Sequence, residues 1–180
     1  WRPAAPAVTV VGALAVVALR PLFRGQLIAG HDAAVYPPRI VEMARAFGDL
    51  HFPTIWAPDL SAGHGQPLFE FFPPLVYWSA LPFRAIGLGT ADSVQLGIAF
   101  WCLAGAAGMY RVTRLLDLPR FAAAGSAALW LFAAYLSLDL FVRSAFAEAV
   151  ASATAPLVLW SLLRAASGPS ARSVTLAAVA

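Results

Sequence analysis

Apolar residues in this chain come in long blocks. Ala4–Phe23, Phe69–Leu88, Ser93–Tyr110, Phe121–Leu138 and Ser144–Leu163 are each dominated by them, and another run opens at Ser173. A helix needs about 20 such residues to cross a bilayer. The pattern therefore predicts an all-α, polytopic transmembrane bundle, with spans near 5–23, 92–111, 120–138 and 145–164. Phe69–Leu88 differs from the others. It holds Pro73, Pro74 and Pro82 together with Glu70 and Arg84, and proline removes a backbone donor and kinks a helix. A broken segment at 69–88, inside an outer loop covering 24–91, is the expectation there.

Within that loop the pattern changes to a shorter period. Ile40, Val41, Ala44 and Phe47 recur at helical spacing, Pro37 and Pro38 stand at the start, and Gly48 stands near the end. These are helix start and stop signals. They predict an amphipathic surface helix over 37–48, with its apolar side on the membrane and Arg39, Glu42 and Arg45 turned away as an i,i+3 network. Beyond it, His51–Pro74 is a Pro/Gly/aromatic loop with turn signals at Pro58-Asp59 and Gly63-His64-Gly65. Trp56, Phe69, Phe71, Phe72, Tyr77 and Trp78 fit an interfacial aromatic belt, or a surface on which a sugar or isoprenoid stacks.

Composition agrees with the blocks. Apolar residues make up 61% and charged residues 12%, against about 45–50% and about 25% in soluble domains. All 12 basic residues are Arg, which with the abundance of Ala reads as coding composition. No basic run is present to bind nucleic acid. The single Cys102 excludes an internal disulfide and any Cys cluster for a metal. The chain opens on Trp1 and closes inside an apolar run, and the start lacks a signal-peptide cleavage pattern. A piece of a longer membrane protein is expected.

Charge also suggests a topology. Arg111, Arg114 and Arg120 crowd one short connector, and Arg164 and Arg172 flank another. Short cytoplasmic loops carry the Arg excess. Both connectors are cytoplasmic if 69–88 lies in the interface or dips in and returns. The loop Arg24–Leu88 and the short loop Asp139–Ala147 then share the outer side.

Those two loops hold the candidate chemistry. Asp32 comes just after the first span, where it can act on a substrate whose lipid tail stays in the bilayer. It suits a catalytic base, which must reach the acceptor proton; capping the entry to the surface helix is the alternative. In the second loop, Arg143 suits a phosphate oxygen. Glu148 suits acceptor orientation or a shared metal, or else merely complements a helix macrodipole. His64, between two glycines, is either a solvated loop residue or one that closes over a substrate.

The residues from Gly30 to Phe83 contain Asp32, Tyr36-Pro37-Pro38-Arg39, Pro58-Asp59-Leu60, Gly63-His64-Gly65 and Phe71-Phe72-Pro73-Pro74-Leu75. With Phe141–Ala149, they resemble the bacterial membrane proteins labelled 6-pyruvoyl-tetrahydropterin synthase-related, which in turn resemble the GT-C superfamily of integral-membrane glycosyltransferases. The resemblance implies a GT-C-like fold and transfer of a sugar from a polyprenyl-phosphate-linked donor to an extracytoplasmic, cell-envelope acceptor. It places the protein in a bacterial inner membrane, with the lipid bilayer and the lipid-linked donor as partners. It makes Asp32, His31 and Glu148 candidate catalytic residues, and Arg143, Arg39, His64 and Tyr36 candidate substrate contacts. Many members carry paired acids where this chain has His31-Asp32. A divalent metal on Asp32 and Glu148 is the candidate cofactor. Pterin chemistry itself would need a His-rich zinc site, and this chain has three scattered His, at 31, 51 and 64. A transporter or flippase of lipid-linked saccharides and a non-catalytic assembly subunit are the competing functions. A transporter should carry charge or broken helices at mid-bilayer, whereas Ser93–Tyr110 and Phe121–Leu138 carry no charge.

Overall fold

The computed structural model describes residues 5–167 apart from Gln26 and Ile28. Arg172 and the apolar run from Ser173 lie outside the described residues. The described chain is mostly helical, with an irregular loop between Gly48 and Leu68 that holds one isolated bridge, Ala57 to Gln66, and no strand among the described residues. Its helices are α1 (Ala5–Leu19), α2 (Tyr36–Gly48), α3 (Leu68–Phe71), α4 (Leu75–Ala85), α5 (Thr90–Leu115), α6 (Arg120–Leu131), α7 (Ala134–Leu138) and α8 (Phe146–Ser167).

Three segments are long and apolar enough to cross a membrane: Thr90–Leu115, Arg120–Arg143 and Phe146–Ser167. They mark a membrane protein. α1 continues as a 3-10 turn over Arg20–Phe23; this apolar helix is shorter than a full span within the described residues and borders residues outside them. The segment from Arg120 is not one regular helix. It breaks at Phe132-Ala133, where Ala133 is extended, resumes as α7, and widens into a π turn over Asp139–Arg143.

Close backbone approach fixes how the bundle is assembled. A Cβ on Gly105 would meet the Ala153 carbonyl oxygen at 2.9 Å, and one on Gly108 would meet Pro156 backbone at 2.9 Å. One turn on, the Arg111 guanidinium lies over the Trp160 ring. These contacts rise together in number, so α5 and α8 run parallel, joined through small residues as is usual where lipid offers no hydrophobic drive. Thr113 meets Ser126, and Gly105 faces Trp130, so α6 runs antiparallel to α5. α1 is antiparallel to α5 as well, because Val11 shares a groove with Tyr110 and Leu19 shares one with Leu96.

It follows that Arg111, Arg114, Arg120 and Arg164 gather at one end of the bundle. Asp32, Asp139, Arg143 and Glu148 gather at the other. Along α8, Glu148 and Arg164 are roughly 24 Å apart at about 1.5 Å per residue, most of a hydrocarbon thickness of about 30 Å.

The stretch 69–88 does not form one helix. Phe72 is extended between α3 and α4, because the ring of Pro73 disfavours helical backbone in the residue before it. α4 folds back on the first half of α5: Ser79 sits where a Cβ on Gly97 would touch it, and it accepts a hydrogen bond from the Trp101 indole N–H at 2.6 Å.

α2 occupies the expected residues but turns a different face inward. Tyr36, Ile40, Met43 and Ala46 are buried against α4 and α5, while Val41 and Phe47 are about half exposed. The face packed on protein is therefore rotated from the one that simple periodicity selects. Glu42 does not face away in a network with Arg39 and Arg45. It is buried, 3% exposed, and accepts the backbone N–H of Asp59 at 3.0 Å. Arg45 pairs instead with the Asp59 carboxylate at the surface. The reason is that loop 57–66 folds over α2 and supplies a donor to the inward acid. Glu42→Ala is expected to cost about 1.5–3 kcal/mol, because it removes a hydrogen bond to a charged acceptor, against under about 1 kcal/mol for Arg45→Ala at the exposed pair. Hydrogen exchange of the 57–66 amides reads the difference. Equal protection in the two variants would mean Glu42 does not hold the loop.

Candidate functional site

The chain after α1 is fastened to the bundle by backbone hydrogen bonds. The His31 N–H donates to Val142 O at 3.4 Å and the Asp32 N–H to Arg143 O at 2.9 Å. Gly30 allows this approach, since a Cβ there would lie 2.7 Å from Val142 O and 2.9 Å from Ser144 Cβ. On the other side, the π turn ends at Ser144 in left-handed conformation, φ 54°, which reverses the chain into α8. Ala145 N–H closes the turn on Asp139 O at 2.9 Å.

This junction forms one wall of a cavity of about 530 Å³, lined by Asp32, Tyr36, Arg39, Phe72, Glu148 and Ala151 among others. Two grooves of about 430 and 610 Å³ run beside α1, but neither is lined by a carboxylate. A further hollow of about 340 Å³ at the end of α2 holds one carboxylate, Asp49, beside Arg45 and His51, whereas the junction cavity brings together two, Asp32 and Glu148.

Asp32 leads the short 3-10 turn Ala33–Val35 without capping it by its side chain, and its carboxylate makes no hydrogen bond or ion pair among the described residues. The capping alternative therefore falls away. Glu148 is in the opposite condition. Arg143 grips it twice, at 2.8 and 3.0 Å, and the Tyr135 hydroxyl donates to it at 3.0 Å. Arg143 also donates to Asp139 at 2.7 Å. Asp139 is wholly buried, and its second oxygen has no partner among the described residues. A buried carboxylate needs a counter-charge, and Arg143 provides it. The guanidinium is thereby committed to two acids and organises them. Arg143→Leu is expected to lower the thermal midpoint more than Arg143→Leu combined with Asp139→Leu, since the single change strands a buried charge. Equal midpoints in detergent would show that the pair does not stabilise the junction.

Arg39 is the cation of the cavity without a carboxylate partner among the described residues. It lies 4.2 Å above the Phe72 ring and donates to the Tyr77 hydroxyl at 3.2 Å. The Tyr36 ring lies tilted 4.7 Å from that of Phe146, and its hydroxyl accepts the Ala147 N–H at 3.2 Å, satisfying one donor at the start of α8. Burial pushes the Tyr36 phenol above its ordinary value, partly offset by that N–H, so it stays protonated and keeps a proton to offer. Burial raises Tyr77 too, against the lowering effect of Arg39.

Of the seven residues singled out by sequence, Asp32, Tyr36, Arg39 and Glu148 line the cavity, and Arg143 stands directly behind Glu148. His31 and His64 are exposed and do not line it. His64 sits in the turn closed by the Ala57–Gln66 bridge. Tyr135 and the supporting role of Phe72 and Tyr77 escape sequence reasoning. Tyr135 was reachable in principle, since Tyr135, Asp139 and Arg143 follow one another at four-residue steps. Among the described residues no three His, Cys, Asp or Glu side chains converge on a possible metal position, so Asp32 and Glu148 would need ligands from elsewhere to hold one. Comparison with protein-family models, curated proteins and solved structures returns no match.

Proposed function

We propose that this chain is the active-site end of a GT-C-like membrane glycosyltransferase of the 6-pyruvoyl-tetrahydropterin synthase-related type. The reaction is transfer of a sugar from a polyprenyl-phosphate-linked donor to a cell-envelope acceptor. The observation that carries the reading is the contrast between two acids in one cavity. Asp32 is unpartnered and exposed to the cavity, as a general base must be, while Glu148 is fixed by Arg143 and Tyr135. The donor's phosphate falls to Arg39, and the wall of Phe71, Phe72 and Pro73 suits the first isoprene units. With the Arg-rich end taken as cytoplasmic, in a bacterial inner membrane, the cavity opens on the outer side. Asp32 takes the proton from the acceptor hydroxyl, whose oxygen displaces the lipid phosphate at the anomeric carbon. The phosphate leaves with the bonding electron pair, and no redox step is involved. A metal, if one is used, would rest on Asp32 and Glu148 and supply charge neutralisation at the phosphate.

The flippase reading differs in what becomes of the sugar. The test is the full-length protein in proteoliposomes with radiolabelled polyprenyl-phosphate sugars and envelope-glycan acceptors. Label bound covalently to acceptor supports the transferase. Label that crosses the bilayer still attached to lipid would replace it with the transporter, and neither outcome across the common hexoses and pentoses would leave a non-catalytic subunit.

A further inference from the structure

Much of the apolar surface of α2 is packed on protein, yet its last turn and the loop that follows expose a cluster of large apolar residues. Phe47, Leu50, Phe52, Ile55 and Trp56 are between 47% and 89% exposed, Leu50 the most. Leu50 is also in an unusual backbone state. It has φ 60° and stands just past the end of α2, where the His51 N–H bonds back to Ala46 O at 2.9 Å and the Leu50 N–H to Phe47 O at 3.1 Å. That is the helix-ending position where glycine is usual, because a Cβ is unfavourable in left-handed backbone. A bulky apolar side chain is thus held outward at a conformational cost, and nothing within the described residues covers it.

The position of the cluster identifies its surroundings. The Phe52 ring lies 5.8 Å from that of Trp78. Trp78 belongs to α4, which packs through Ser79 on Gly97 and Trp101 of α5, a helix long and apolar enough to cross a membrane. The cluster therefore stands beside the outer end of the bundle, level with the start of α8, because Gly105 lies against Ala153 and so puts Gly97 and Trp101 near the level of Glu148. Its composition, a Trp and two Phe among aliphatics with Arg45, Asp49 and His51 around them, suits the boundary between headgroups and acyl chains. We infer that the Phe47–Trp56 segment is a membrane anchor, inserted in the outer interfacial layer of the bilayer, which fixes α2 and hence Arg39 and the cavity at a set depth. The inference is independent of the reaction catalysed.

The test uses the full-length protein in nanodiscs of phosphatidylcholine and phosphatidylglycerol, with and without lipids brominated at acyl carbons 6 and 7. Subtracting the emission of Trp56→Phe isolates Trp56. An apolar face buried about 5–10 Å at the headgroup boundary should lose about half its emission to bromine and little to aqueous iodide. Leu50→Cys in a Cys102→Ala background, carrying an environment-sensitive dye, repeats the measurement if Trp56→Phe perturbs the loop. Quenching by iodide and not by bromine would place the segment in water and overturn the inference. Protection from both quenchers would mean that protein covers it, and would overturn it equally.

Discussion

Asp32→Asn in the full-length protein is expected to slow the proposed sugar transfer by about 100-fold or more, the usual contribution of a positioned general base, with no loss of stability. Both halves follow from the same observation. The Asp32 side chain makes no hydrogen bond or ion pair among the described residues, so removing its charge breaks nothing in the fold. Its place in the cavity comes from the main chain, through the 2.9 Å bond from its N–H to Arg143 O, and Asn keeps that bond. Transfer rates should fall while the thermal midpoint in detergent and the expression level stay at wild-type values. Asp49→Asn serves as the control, an exposed acid that does not line the cavity, and should transfer at the wild-type rate. If Asp32→Asn retains activity within a few-fold, the base is another group and the proposed chemistry fails at its centre. If it is inactive but also unstable, the carboxylate has a structural partner outside the described residues.

Gly108→Leu is expected to be the most damaging substitution for the fold. The Cβ alone would lie 2.9 Å from two atoms of Pro156 and 3.0 Å from the Leu157 nitrogen. Two of these contacts are backbone, inside a helix, and cannot rotate aside. Relief requires α5 and α8 to separate, which also opens the Gly105–Ala153 approach one turn away. Overpacking typically costs about 1–3 kcal/mol and occasionally more; with backbone on both sides the upper end, about 3 kcal/mol, is the expectation. Size-exclusion of detergent-solubilised protein should show aggregate in place of a single species. Gly125→Ala is the matched control, because no atom lies within 4 Å of the added Cβ and alanine is the better helix former. A monodisperse Gly108→Leu protein with an unchanged midpoint would show that α5 and α8 are not held by this contact.

The bundle was legible in sequence because bilayer length and charge exclusion are strong, local constraints. The apolar blocks fixed the positions of α5 and α8 within a few residues, and the prolines at 73 and 74 located the break between α3 and α4. What periodicity could not supply was the partner of each face. Ile40, Val41, Ala44 and Phe47 form an apolar stripe on paper, yet Met43 and Tyr36 complete the buried side and Val41 does not. The choice is made by α4 and α5, far away in sequence. Glu42 reads as a surface acid until loop 57–66 folds over it. The cavity shows the same division. Asp32 and Glu148 could be nominated one by one from their positions beside apolar runs. Whether Arg143 meets a ligand or an acid depends on the π turn at Asp139–Arg143, and no residue pattern announced that turn.

The fastening of Gly30–Asp32 to the Val142–Arg143 carbonyls has a consequence for how the protein tolerates change. Because the bonds are main-chain to main-chain, the identities of His31 and Val142 are irrelevant to them, whereas Arg143 also holds Asp139 within the π turn that presents the carbonyls. The side chains at 31 and 142 can drift, exchanging charge for bulk or bulk for polarity, while the distance between the Gly30–Asp32 segment and the π turn stays the same. Besides loss of Arg143, two kinds of change reach the fastening: any side chain at position 30, where the space is already taken by Val142 and Ser144, and a proline at 31 or 32, which would remove a donor. The width of the cavity is thus insulated from most mutations around its rim. Pocket chemistry can be retuned residue by residue without re-solving the geometry, provided that one glycine is kept.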